Sequence, residues 1–66
     1  MKNSIKVERA VLNISQQDLA DKIKVSRQTI NAIETSRYIP STVLALKIAA
    51  VFHKSVNEIF TLERKD

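Results

Sequence analysis

The chain has no glycine, no cysteine and no tryptophan, one proline, and only 5% aromatic residues across 66 positions. The missing glycine is the unusual absence, since glycine averages roughly 7% of residues. It excludes collagen-like repeats, Gly-rich linkers and phosphate-cradling loops, all of which need glycine where the backbone turns left-handed or closes on a phosphate. It also disfavours hairpin-rich folds. Without cysteine there is no disulfide and no thiolate metal site, so packing alone must hold the chain, and a reducing cytoplasm suits it. Residues 1–6 are not followed by the apolar stretch of a signal peptide, and the longest apolar run, Val43 to Phe52, is interrupted by Lys47. Neither export nor a membrane span is expected.

What is present is a 44% hydrophobic chain with a net charge of +4. A chain this short buries only about 60% of its unfolded surface, so a single domain spanning 1–66 with a single core is expected. The charge is unevenly placed. Between Lys22 and Lys54 stand six cations (Lys22, Lys24, Arg27, Arg37, Lys47 and Lys54) against one anion, Glu34, while the rest of the chain is close to neutral. Such polarity points first to nucleic acid and second to an anionic membrane, with a solvated basic face as the bland alternative. The membrane reading lacks the long Lys-rich face with aromatic anchors that it requires.

Serine recurs at Ser4, Ser15, Ser26, Ser41 and Ser55, each followed by apolar residues at helical spacing. Ser15 with Asp18 and Ser55 with Glu58 form N-terminal capping pairs, and Pro40 closes the helix before it. The pattern predicts an all-α fold of five helices over about 4–12, 16–23, 27–35, 42–52 and 56–60, with a short terminal β-ribbon pairing residues 1–3 with 61–63. Periodicity places Ile5, Leu12, Leu19, Ala20, Ile23, Val25, Ile30, Ile33, Leu44, Leu46, Ile48, Ala49, Phe52, Val56, Ile59 and Phe60 in the core.

Helices 2 and 3 are separated only by Lys24, Val25 and Ser26, a link short enough to make them cross steeply as a helix-turn-helix. With Ile30 and Ile33 facing inward, Arg27, Gln28, Asn31 and Thr35 share the outer face of helix 3. Arg carries two parallel donors suited to guanine O6 and N7, and Gln and Asn can pair with adenine N6 and N7. Catalysis has no support: the lone His53 has no nucleophile or carboxylate framework around it and no clustered ligands to share a metal, so neither a metal nor a cofactor is expected.

The runs Ser15-Gln16-Gln17-Asp18-Leu19-Ala20, Val25-Ser26-Arg27-Gln28-Thr29-Ile30-Asn31 with Ile33-Glu34, and Pro40-Ser41 with Ala45-Leu46-Lys47-Ile48-Ala49 resemble the Cro and phage-repressor helix-turn-helix family, also called the XRE family. The resemblance covers about residues 4–60 and, within the family, is strongest to short stand-alone bacterial repressors. It implies a compact lambda-repressor-like domain that binds a double-stranded DNA operator. Base contacts would fall on Arg27, Gln28 and Asn31, and phosphate contacts on Gln16, Thr29, Arg37, Tyr38 and Ser41. Lys24, charged and close to where phosphate would run, joins the phosphate group. Arg9 and Glu34 match a structural ion pair between helices 1 and 3. One recognition helix reads too few base pairs for useful specificity, so a homodimer on a palindrome is expected, with Val51, Val56, Ile59 and Leu62 as its interface. An antitoxin or adaptor-type interaction module is the alternative. Against the family pattern, Asn13, Lys24, Ser36 and His53 stand at turns where relatives commonly carry glycine. They imply either left-handed non-glycine residues or re-shaped turns.

Overall fold

The computed structural model of the protein describes all 66 residues, Met1–Asp66. Strand β1 (Lys2–Asn3) leads into α1 (Ile5–Leu12), α2 (Gln16–Ile23), α3 (Arg27–Glu34), α4 (Thr42–Val51) and α5 (Val56–Ile59), and β2 (Phe60–Thr61) closes the chain. Serine starts the inner helices as its spacing implies: the hydroxyl oxygens of Ser15, Ser26 and Ser41 accept from the N–H groups of Asp18, Thr29 and Leu44. Ser55 contributes the reciprocal half of a capping box, its N–H donating to Glu58 Oε1 at 2.9 Å. These bonds hold the Asp18 and Glu58 carboxyls below their ordinary values, chiefly because each accepts a backbone N–H as an anion.

Ser4 behaves differently. Its side chain caps nothing; Asn3 takes the role, accepting the Ile5 N–H at 3.2 Å and donating to the Ile33 carbonyl at 2.9 Å. One asparagine thereby starts α1 and ties it to α3.

The core gathers residues from all five helices and Phe60 from β2. Ile5, Leu19, Ile30, Ile33, Ile48 and Ile59 are all under 2% exposed, and full burial of such side chains is worth about 1.5–3 kcal/mol each. Ala20, Ile23, Ala49, Phe52 and Phe60 complete it, with Val25, Leu44 and Val56 packed at its edge. Leu12 and Leu46 lie outside, 44% and 56% exposed. Leu46 shares the periodicity of an inward residue, but α4 is apolar on two faces and only the face carrying Ile48 and Ala49 meets the core.

The terminal ribbon forms with its second strand one residue earlier than expected, pairing Lys2 with Thr61 and Asn3 with Phe60. Phe60, expected to end α5, is extended instead, at φ −113° and ψ 137°. This conformation turns its ring into the core while the Ser4 N–H bonds the Ile59 carbonyl at 2.9 Å.

The glycine-free turns are left-handed. Asn13, Lys24, Ser36 and His53 have φ of 57°, 60°, 61° and 56°, and all four follow a helix. Beyond each, the next N–H reaches back five residues: Ile14 to Arg9, Val25 to Ala20, Arg37 to Ala32 and Lys54 to Ala49, at 2.8–3.1 Å. This is the closure in which glycine is usual, and a non-glycine residue in it costs about 1–2 kcal/mol. Asparagine tolerates the region best. Lys24→Gly should therefore raise the melting temperature by roughly 4–8 °C, about 1 kcal/mol in a domain of this size, and Asn13→Gly by clearly less. Calorimetry checks both, and a lowered melting temperature for Lys24→Gly counts against strain at that turn.

Candidate nucleic-acid interface

Helix α3 is fixed from below and open above. Ile30 and Ile33 sink into the core, and the link Lys24–Ser26, pinned by half-buried Val25, sets the α2–α3 crossing. The opposite face then presents Arg27 and Gln28, both exposed, and half-buried Asn31 around one open depression whose other walls are Ala32 and Arg37. A larger side chain in place of Ala32 would intrude on it.

The end of α3 is held by Glu34. Arg9 Nε donates to Glu34 Oε2 at 2.7 Å and Arg9 Nη2 to Oε1 at 3.1 Å, a two-pronged pair whose side chains are only 15% and 6% exposed. The same guanidinium donates from Nη1 to the Ile14 carbonyl at 3.1 Å, just beyond the left-handed end of α1. The hydrogen bond to Glu34 raises the Arg9 pKa above its ordinary value against the opposing effect of burial. Gln16 Nε2 lies 3.4 Å from Glu34 Oε1. One carboxylate thus joins α1, the start of α2 and the end of α3, and the only anion of the basic segment is turned inward.

The remaining positions expected to face phosphate surround this unit. Gln16 is half-buried, with its amide nitrogen directed at Glu34. The Thr29 hydroxyl lies 2.9 Å from that of Ser26 at the start of α3. Tyr38 is 47% exposed in the α3–α4 loop, and Ser41 is the exposed N-cap of α4. Arg37 is exposed but directed inward along α3: Nε donates to Thr35 Oγ1 at 2.9 Å and Nη2 to Asn31 Oδ1 at 2.8 Å. Lys24 borders a separate open cleft with Lys22 and Lys47, floored by Ile23, Ala50 and Val51. None of these three lysines forms a close ion pair, whereas Lys54 is bound to Glu8 at 2.9 Å.

The expected dimer surface needs correction at one residue. Ile59 is 1% exposed and belongs to the core, because the single turn of α5 aims it inward. Val51 and Val56 are half-buried at the core's edge, and Leu62 is 78% exposed. Sequence reading missed the apolar groove beside them, formed by Ile39, Pro40, Ala45, Leu46, Val56 and Phe60. Its signal was the near absence of polar residues on any face of α4, of which Lys47 is the only charged one.

The helix-turn-helix family pattern matches residues 5–59. A protein of Methanocaldococcus jannaschii, described as an HTH-type transcriptional regulator, is 52% identical over 63 residues, 96% of each chain. One of Bacillus subtilis with the same description is 42% identical over 66 residues, all of both chains. One of Archaeoglobus fulgidus, so described, is 39% identical across the whole of this chain and 93% of its own.

Leaving either member of the Arg9–Glu34 pair without its partner should destabilise this face. Replacing either partner by alanine is expected to cost about 3 kcal/mol, the lower end for breaking a buried pair, since part of Arg9 still meets water. The double variant should cost less than the two singles combined, by about 1 kcal/mol or more. Denaturant titration of the four proteins measures this coupling, and strict additivity would sink it.

Proposed function

The chain belongs to the helix-turn-helix family of the Cro and phage-repressor type, and on that premise we propose that it is a sequence-specific regulator of transcription that lays α3 in the major groove of double-stranded DNA. The observation that carries this reading is the split character of α3: Ile30 and Ile33 fully buried, Arg27, Gln28 and Asn31 ringing one open depression on the other side. These side chains have the donor and acceptor geometry of base edges. Gln16, Thr29, Tyr38, Ser41 and Lys24 are assigned to phosphate, where they position the helix without reading sequence. The N-termini of α2 and α4 add the partial positive charge of their free N–H groups.

Two copies acting on a palindrome about 34 Å apart, one helical turn, would give the specificity that one helix lacks. The face we assign to self-association carries Leu62, Val56 and Val51 from the sequence expectation together with the apolar groove at Leu46 and Ile39, which are 56% and 64% exposed. An apolar helix face left in water marks a surface that another molecule covers. Repression follows where such a dimer occupies a promoter. No helix of the structure is long and apolar enough to cross a membrane.

Fluorescence anisotropy on the promoter of the chain's own operon, against random duplex, tests the reading. Arg27→Ala and Gln28→Ala should each cost roughly 1–3 kcal/mol on the operator and little on random DNA. Equal losses on both duplexes would reduce the two residues to phosphate contacts. Sedimentation at micromolar concentration tests the pairing: Leu46→Glu should yield monomers where the wild type dimerises, and a wild type that stays monomeric with and without operator overturns the dimer.

A further inference from the structure

Arg37 arrives at the depression from the loop beyond the left-handed turn at Ser36, and its guanidinium lies back along α3. Nε donates to Thr35 Oγ1 at 2.9 Å and Nη2 to Asn31 Oδ1 at 2.8 Å, while the Thr35 hydroxyl donates to the Asn31 carbonyl at 2.8 Å. Arg37 therefore holds the Asn31 amide, and Thr35, anchored on the α3 backbone, holds Arg37. Two consequences follow from the donor inventory of these groups. Arg37 takes one of the two lone pairs of Asn31 Oδ1 and so turns that oxygen to the guanidinium, while Nδ2, a pure donor, has no protein partner. The guanidinium keeps three unused N–H bonds, two on Nη1 and one on Nη2, at the wall of the same depression.

We infer that Asn31 and Arg37 act as a single reading unit that presents donors to the DNA and selects guanine, with Arg37 as the positioning residue that sets the preference of Asn31. An unconstrained asparagine pairs with adenine, giving a donor to N7 and an acceptor to the N6 amino group. With Oδ1 turned to Arg37, the amide is held with its oxygen directed along α3 and does not set donor and acceptor together against the adenine edge. Guanine offers two acceptors, O6 and N7, which suit Nδ2 and a free guanidinium N–H side by side. The pairing explains why a cation that the family resemblance directs to phosphate is instead folded against the base-reading face. It rests on the DNA-binding reading and sharpens it to a base.

Selection of binding sites from a randomised duplex pool, using the full chain, tests the inference with wild type, Asn31→Ala, Arg37→Ala and Arg37→Lys. Arg37 is exposed, so its variants should melt like the wild type. The wild type should select guanine at the operator position that Asn31→Ala makes indifferent, by roughly tenfold or more over adenine. Arg37→Ala should move that preference to adenine, because the freed amide oxygen can then accept from N6. Arg37→Lys keeps the charge but loses the fork, and should likewise fail to keep guanine. Three results overturn the inference: adenine selected by the wild type, an unchanged base preference in Arg37→Ala, or wild-type selection retained in Arg37→Lys. A phosphate contact has its own signature: affinity lost evenly across sequences, with a salt dependence shallower by about one ion. A wild type that enriches no sequence over the random pool strikes at the DNA-binding reading itself and removes this inference with it.

Discussion

A chain of 66 residues with five helices must reverse direction after almost every one of them, and this chain does so without glycine. The reversals after α1, α2, α3 and α4 share one device: a left-handed residue followed by an N–H that reaches five residues back to the helix it has just left. The bond supplies a partner for a carbonyl that a helix end would otherwise orphan. The conformation opposes it, at about 1–2 kcal/mol for each side chain that carries a Cβ. The balance is affordable only because each closure swings the next helix onto the core. After α2 the half-buried Val25 supplies the apolar contact, after α1 Ile14 does so, and the isoleucines of α3 then reach full burial.

From that geometry α3 inherits its two sides. Burial of Ile30 and Ile33 fixes the rotation of the helix about its axis, and Glu34 fixes its end through Arg9 and Gln16. An ion pair so little exposed adds little net stability over an apolar substitute, yet it is strongly directional. Its effect here is also electrostatic. Withdrawing Glu34 beneath the surface leaves the segment from Lys22 to Lys54 with cations alone on its outside. A basic segment by composition becomes a basic surface in fact.

Much of this was legible in the sequence because the signals are local. Serine N-caps, the period of the apolar residues and the four turn positions each depend on neighbours within one helical turn. The departures arise where a distant element decides. Ser4 looks like the other capping serines, but the ribbon brings Asn3 to the start of α1 and displaces it. Phe60 continues the apolar period of α5, yet the core and β1 draw it into a strand. Leu46, expected in the core, lies outside it, and Ile59, expected both in the core and in the dimer face, belongs to the core alone; period says that a face is apolar, and only packing says which apolar face meets the core. The outer face of α3 was legible as a set of residue types. The bond between Arg37 and Asn31 was not, since six residues and a left-handed turn separate them.

Lys24 brings the turn geometry and the charge together. Any of the four reversals would be easier with glycine, and three of the substitutes (Asn13, Ser36 and His53) are uncharged or only weakly basic. Lys24 adds a full charge in the link between α2 and α3, in a cleft that also holds Lys22 and Lys47. The α2 C-terminus partly accounts for this, since its carbonyl dipoles favour a nearby cation by a few tenths of a kcal/mol up to about 1 kcal/mol. That gain falls short of the cost of the left-handed backbone, so stability alone does not account for a lysine at this position. Lys24 lines the lysine cleft and stands three residues before Arg27, the first residue of α3. Cations placed so close along the chain add their fields over any polyanion that approaches them.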